Sequence, residues 1–141
     1  MSGFLLDINC ISELVCARPE PRVVEWVEST DEQLLYLSVL TLGEIRKGLA
    51  ALPQSKRRAR LESWLEVELK GRFSGRVLSV DGAVADRWGS LAAQAKQKGK
   101  PLAVIDGLLA ATAVHYNLTV VSRNSADFKH ADVSVFNPWR E

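Results

Sequence analysis

At 141 residues and 47% hydrophobic, the chain can bury roughly two thirds of its unfolded surface in one core, so folding needs neither disulfides nor a structural metal. Its 18 basic and 17 acidic residues leave a net charge of +1, which excludes a bulk-charge argument for nucleic acid and leaves any such contact to local patches. No apolar stretch approaches the roughly 18 to 20 residues that cross a bilayer, and Asp7 interrupts the region where a signal peptide needs an unbroken apolar run, so no membrane contact and a cytoplasmic location are expected.

A short apolar strand is expected over residues 3–6, then a helix over 9–15 that Arg18-Pro19-Glu20-Pro21 breaks. Val23, Val24, Trp26 and Val27 recur at helical spacing up to Ser29-Thr30, and a strand over 34–37 follows. Ser38 is placed to cap a helix running to about residue 51. Beyond Pro53, residues 55–70 read as its hairpin partner, basic at the start (Lys56, Arg57, Arg58, Arg60) with Leu61, Trp64, Leu65 and Leu69 as apolar stripe. A strand over 77–80 leads to Asp81 as N-cap and a helix over 83–98, closed by Gly99 with Pro101 just beyond. A helix over 104–116, a strand over 118–122, a polar turn over 123–126 and a strand over 133–136 complete the chain. Repeated βα units with short connections predict one α/β domain over 1–141, with a mostly parallel central sheet of four to five strands covered by helices on both faces. Cys10 and Cys16 match no zinc-ligand spacing and are expected to be reduced, structural thiols.

Asp7, Glu44, Asp106 and Asp127 each stand at or just past the end of an apolar run. The runs are Phe4-Leu5-Leu6, then Leu34-Leu35-Tyr36-Leu37 ahead of the helix bearing Glu44, then Val104-Ile105 and Thr119-Val120-Val121. The carboxyl ends of strands in an open α/β sheet line the ligand crevice, so these acids converge although distant in sequence. Clustered carboxylates repel one another unless a cation neutralises them, and a hard divalent ion is the natural partner for oxygen ligands.

Each acid also has a plainer reading: Asp7 as a helix cap, Asp106 as a complement to a helix dipole, Asp127 as a turn residue, Glu44 as a solvated acid or a partner of Arg46 or Lys47. Asp81 needs no ligand to explain it, being a cap. His115 inside an apolar helix and His130 in a polar turn read as structural, and no Ser-His or Cys-His nucleophile is evident. Arg123, Lys129 and His130 flank Asp127 and are placed either to meet phosphates or to form a solvated face, whereas the run from Lys56 to Arg60 reads as a solvated face. A haloacid dehalogenase type of phosphatase would need a second Asp where this chain has Asn9.

The segments Phe4-Leu5-Leu6-Asp7-Ile8-Asn9, Ser38 to Gly48 around Glu44, Ile105-Asp106-Gly107-Leu108-Leu109-Ala110-Ala111-Thr112-Ala113, Ser122-Arg123-Asn124-Ser125-Ala126-Asp127-Phe128 and the closing Asn137-Pro138-Trp139 resemble the successive motifs of PIN-domain ribonucleases. More narrowly, residues 3–139 resemble the VapC-like and FitB-like toxins of bacterial type II toxin-antitoxin pairs. The resemblance implies a three-layer α/β/α PIN-like domain in which Asp7, Glu44, Asp106 and Asp127 hold magnesium or manganese, supported by Asn9 and Ser122. It further implies hydrolysis of RNA to 5′-phosphate and 3′-hydroxyl ends, a homodimer, and inhibition by a small VapB-like antitoxin. That antitoxin's amphipathic segment would lie in a groove near the site, furnished by the hairpin from Leu42 to Leu69 and by Val23, Val24, Trp26 and Val27, or these residues are simply core. In the assembled complex, operator DNA binding falls to the antitoxin. The family usually has Thr or Ser after the first acid; Ile8 stands there, which removes a hydroxyl but no metal ligand. A catalytically weak or inactive PIN-like binding module is therefore the alternative.

Overall fold

The order of strands decides where the site lies. In the computed structural model, which describes residues 2–140, β1 (Phe4–Leu6) sits at the centre of the sheet, with β2 (Leu35–Ser38) on one side and β4 (Thr119–Val121) on the other. Outside these lie β3 (Val77–Leu78) and β5 (Val135–Phe136), giving the order β3-β2-β1-β4-β5 with every pairing parallel. Register runs Leu5 opposite Tyr36 and Val120, and Leu6 opposite Val121. The chain leaves β1 toward β2 and returns on the opposite side at β4, so the β1/β4 junction is the switch point where a doubly wound sheet opens a crevice.

Strand periodicity sends alternate residues to two separate cores. Leu6, Leu35, Leu37 and Val121 face one, and Leu5 and Val120 face the other. Over the first pack α1 (Ile8–Val15), α2 (Pro21–Ser29), α3 (Val39–Ala50) and the rod that begins with α4 (Lys56–Ser63). Over the second lie α6 (Gly82–Gln97) and α7 (Val104–Tyr116), the latter buried through Leu109, Ala110 and Ala113. The expected three-layer architecture is therefore present. Val23 and Val27 of α2 and Leu65 and Leu69 of the rod are core residues, and Leu69 with Trp64 also lines a surface cleft of about 260 Å³ beside Ile11, Leu14 and Val15 of α1.

Capping chemistry sets the helix starts. Ser38 Oγ accepts from the Leu40 N–H, and the Asp81 carboxylate from that of Val84, both as the sequence predicts. Pro21 opens α2, where its missing N–H costs nothing. The helix predicted over 55–70 is one rod in three parts: α4, a π-helical stretch over Trp64–Leu69, and α5 (Lys70–Arg72). Arg46 of α3 pairs with Glu62 and Glu66 across the hairpin.

β1, β3, β4 and β5 are shorter than predicted, and β2 keeps its length but starts one residue later. β3 stops at Leu78 because its partner β2 ends at Ser38, which turns away to cap α3. β5 begins only at Val135 because the chain is still turning at Asp132, whose φ is +55°. Residue 34 belongs to a 3-10 turn capped by Asp31 rather than to β2. Arg76 is buried, donating to the Glu32 and Leu35 carbonyls, the Glu32 carboxylate and the Arg72 carbonyl, which ties β3 and α5 to the start of β2. Among the described residues no helix is long and apolar enough to cross a membrane.

Candidate metal centre

Asp7 lies one residue past the end of β1, at the switch point, and is only 6% exposed. Its Oδ1 accepts from the Ile8 N–H at 2.8 Å, so Asp7 rather than Asn9 caps α1. Its Oδ2 accepts from Ser122 Oγ at 2.8 Å and, more weakly, from Asn9 Nδ2 at 3.5 Å. Ser122, fully buried one residue past β4, also accepts from Asn9 Nδ2 and from the Asn124 N–H. Asn9 Oδ1 in turn accepts from the Arg123 N–H. Asn9 and Ser122 thus fix Asp7 from two elements.

The other three acids arrive from three further directions. Glu44 projects from the second turn of α3 and is half-buried. Asp106 stands in the first turn of α7, also half-buried. Asp127 is exposed, within a 3-10 turn over Ser125–Phe128 where the sequence suggested only a loop. Burial first, then the negative charges of Asp7 and Asp106, push the Glu44 carboxyl above its ordinary value, with Lys47 opposing. Burial, then Asp7 and Asp127, do the same to Asp106. Glu44 feels Asp7 and Asp106, and Asp106 feels Asp7 and Asp127, so all four belong to one electrostatic cluster.

The four differ in how firmly they are held. Asp7 is oriented by hydrogen bonds to both oxygens, whereas among the described residues no hydrogen bond restrains the carboxylates of Glu44, Asp106 or Asp127. Glu44 Oε1 is buried without a partner. Among the described residues no three His, Cys, Asp or Glu side chains already form a group that closes on a metal ion. The donor set nonetheless fits a hard divalent cation: all-oxygen ligands, an orphaned buried carboxylate oxygen, and two carboxyls whose ionisation the surroundings oppose.

Two clefts flank the cluster. One, of about 440 Å³, is lined by Ile8, Val39, Leu40, Gly43, Glu44, Lys47 and Ile105, and is largely apolar. The other, of about 390 Å³, is lined by residues 100–103 with Asp106, Ala126, Asp127 and His130. Sequence reasoning missed the first because Ile8, Leu40 and Ile105 come from three separate segments, each apolar in its own right. Arg123 is exposed, its guanidinium 5.8 Å from the centre of the Trp139 ring. Lys129 is exposed just after the 3-10 turn. His115 lies away from the acids, its Nδ1 accepting from Arg87 Nε in a cleft between α6 and α7. Cys10 is buried and Cys16 exposed, both free.

The family model described as "PIN domain" matches residues 4–134. This chain belongs to the PIN-domain family. It is 42% identical over 137 residues to Toxin FitB of Neisseria gonorrhoeae, covering 97% of this chain and 99% of that protein. It is 41% identical over 135 residues to VapC ribonuclease Y4jK of Sinorhizobium fredii, covering 96% of each. The structure of FitAB bound to the IR36 DNA fragment contains a chain that superposes with a TM-score of 0.92 at 40% identity, over 96% of this chain and 95% of that one.

Proposed function

We propose that this protein is a magnesium- or manganese-dependent endoribonuclease acting as the toxin of a type II toxin-antitoxin pair. The observation that supports the reading is that Glu44 feels the charges of Asp7 and Asp106, and Asp106 those of Asp7 and Asp127, with burial and this repulsion opposing ionisation of Glu44 and Asp106. These four carboxylates would hold the ion. A divalent cation, when bound, supplies positive charge that acidifies water and offsets charge on the leaving oxygen of a phosphodiester.

The chain's own residues prepare that chemistry. Ser122 and the Ile8 N–H take one lone pair from each Asp7 oxygen, which sets the carboxylate plane and leaves other lone pairs free. Asn9 joins Asp7, Ser122 and the Arg123 backbone, so the loop after β4 is registered against α1. Among the described residues no hydrogen bond opposes rotation about the side-chain bonds of Glu44, Asp106 and Asp127, so these three would adjust around a ligand set that Asp7 anchors. Arg123 and Lys129 meet RNA phosphates beside the cluster.

A homodimer and a VapB-like antitoxin partner follow from the kinship with Toxin FitB and with the FitAB complex. The apolar cleft beside Glu44 suits an amphipathic segment of such an antitoxin, and the DNA-bound FitAB complex supports operator binding through the antitoxin. A second reading, a catalytically weak PIN-like module acting through antitoxin or nucleic-acid binding, is favoured by Ile8, which lines that cleft with an apolar side chain.

The test is incubation of antitoxin-free protein with a structured RNA pool in manganese, in magnesium and in excess chelator, beside an Asp7→Asn/Asp106→Asn variant. Metal-dependent cleavage absent in both chelator and variant is expected. Antitoxin binding with no cleavage in either metal would establish the binding module instead.

A further inference from the structure

The catalytic reading leaves Lys98, Lys100 and His130, on one side of the acids, unused. α6 ends in a Schellman motif: Gly99, at φ +73°, donates to the Lys96 carbonyl at 3.0 Å, and the Lys100 N–H to that of Ala95 at 2.9 Å. Pro101 prevents the helix from continuing, and the chain passes directly into α7 and Asp106. Lys100 therefore lines the cleft of about 390 Å³ together with Asp106, Asp127 and His130. His130 lines the same cleft from the segment after β4, and Lys129 precedes it in the chain as an exposed residue just after the 3-10 turn. Partial desolvation, then the charges of Lys100, Lys129 and Lys98, hold the His130 imidazole below its usual range, so the three ammonium groups act on one spot.

Lysines in a helix's last turn complement its dipole, which accounts for Lys96 and Lys98. It accounts neither for Lys100, beyond the helix end, nor for Lys129, on another element. Among the described residues, no ion pair engages Lys98, Lys100 or Lys129, although Asp106 and Asp127 border the same cleft. A polyanion approaching four carboxylates is repelled, and a neighbouring cationic rim offsets that repulsion.

We propose that Lys98 and Lys100, with Lys129 and His130, form a rim that grips the phosphates of single-stranded RNA on the Asp106–Asp127 side of the cleft. The inference rests on the ribonuclease reading and adds which side of the acids the RNA strand occupies. It assigns substrate contacts to the α6–α7 connection, a segment without sequence motif.

The test measures binding of a short, mixed-sequence, labelled single-stranded RNA by fluorescence anisotropy in chelator over a salt series. It uses the wild-type chain, Lys98→Ala/Lys100→Ala, and Lys56→Ala/Arg57→Ala at the start of α4 on the other face of the sheet. All four lysine and arginine positions are exposed, so the variants fold. Each lost phosphate contact lowers the salt slope by about 0.7 for a single strand, so the first variant is expected to lose roughly 1.4 from the slope and the second nothing. A wild type that cleaves the RNA pool in manganese while Lys98→Ala/Lys100→Ala keeps its full slope overturns the rim and leaves the nuclease intact. A wild type that neither cleaves nor binds overturns both.

Discussion

Neutralising Asp106 separates a cation site from a merely structural acid. Its folded carboxyl is raised above the ordinary 3.8 by burial, then Asp7, then Asp127. A raised folded value means that the native state holds the proton more tightly than the unfolded chain. The resulting penalty is absent below the ordinary value, grows as pH rises through the folded value, and is complete above it. Glu44 behaves alike. Glu13, Glu32 and Glu66 run oppositely, their values lowered, so their contribution is present above 4.5 and is lost as pH falls through the lowered values. The difference between wild type and Asp106→Asn is therefore the readout, not either curve alone.

Asp106 is half-open to solvent, so removing its charge in metal-free protein at neutral pH relieves roughly 0.2–1 kcal/mol, the scale of screened charge pairs. For 141 residues the unfolding entropy is about 0.3 kcal/mol/K, which makes this a Tm gain of about 1–3 °C. Manganese at a hundredfold excess over its Kd stabilises wild type by about 2.7 kcal/mol, or about 9 °C. Thermal melts by circular dichroism, in chelator and in manganese, at neutral and mildly acidic pH, measure both effects. Asp106→Asn should melt above wild type in chelator at neutral pH, lose that advantage on acidification, and lose most of the manganese response. A variant that melts lower than wild type in chelator, or that gains as much from manganese, would refute the reasoning.

Ser122→Ala removes the buried donor to Asp7 Oδ2 and the acceptor for Asn9 and Asn124; a cost of about 1–3 kcal/mol, or roughly 3–10 °C in Tm, is expected, with RNA cleavage falling as Asp7 loses its orientation. An unchanged melt and unchanged cleavage would show that Ser122 does not position Asp7. Gly3→Ala places a Cβ 2.7 Å from the Leu34 carbonyl oxygen and 2.9 Å from the Tyr36 ring, so a loss of about 1–3 kcal/mol is expected by chemical denaturation, and an equal midpoint counts against the packing argument. Burial and nearby Asp7 and Glu13 push the Cys10 thiol up to about 12, so iodoacetamide at mildly alkaline pH should label only Cys16 in the native protein. Cys16 should react more slowly than a free thiol, because the Glu13 carboxylate accepts from it and raises its value. Mass spectrometry showing native Cys10 alkylation at a comparable rate would mean that α1 opens readily.

Local chemistry is legible wherever a residue acts on its own neighbours. Ser38 and Asp81 cap helices through contacts two and three residues away, Gly99 supplies the left-handed turn that ends α6, and α7 runs over Val104–Tyr116 as its apolar periodicity requires. Asp7 was legible as a cap, because a carboxylate after a buried strand meets the next helix's first N–H, whereas its bond from Ser122, one residue past β4, was not. The π-helical stretch was not, since widening one turn leaves the apolar stripe of Leu61, Leu65 and Leu69 unchanged in sequence. Nor were the lengths of β3 and β5, which depend on how far a partner strand extends.

What the sequence by itself determined is therefore the set of α/β units and the four acids at their ends, because strand and helix periods and caps are short-range. The tertiary structure alone decided that β1 lies between β2 and β4, which puts Asp7 beside Ser122 and within the field of Glu44 and Asp106. It also brought Lys98 and Lys100 to the same side as Lys129 and His130. Pairings between residues a hundred positions apart follow from which hydrophobic faces the helices cover, and no local spacing encodes that choice.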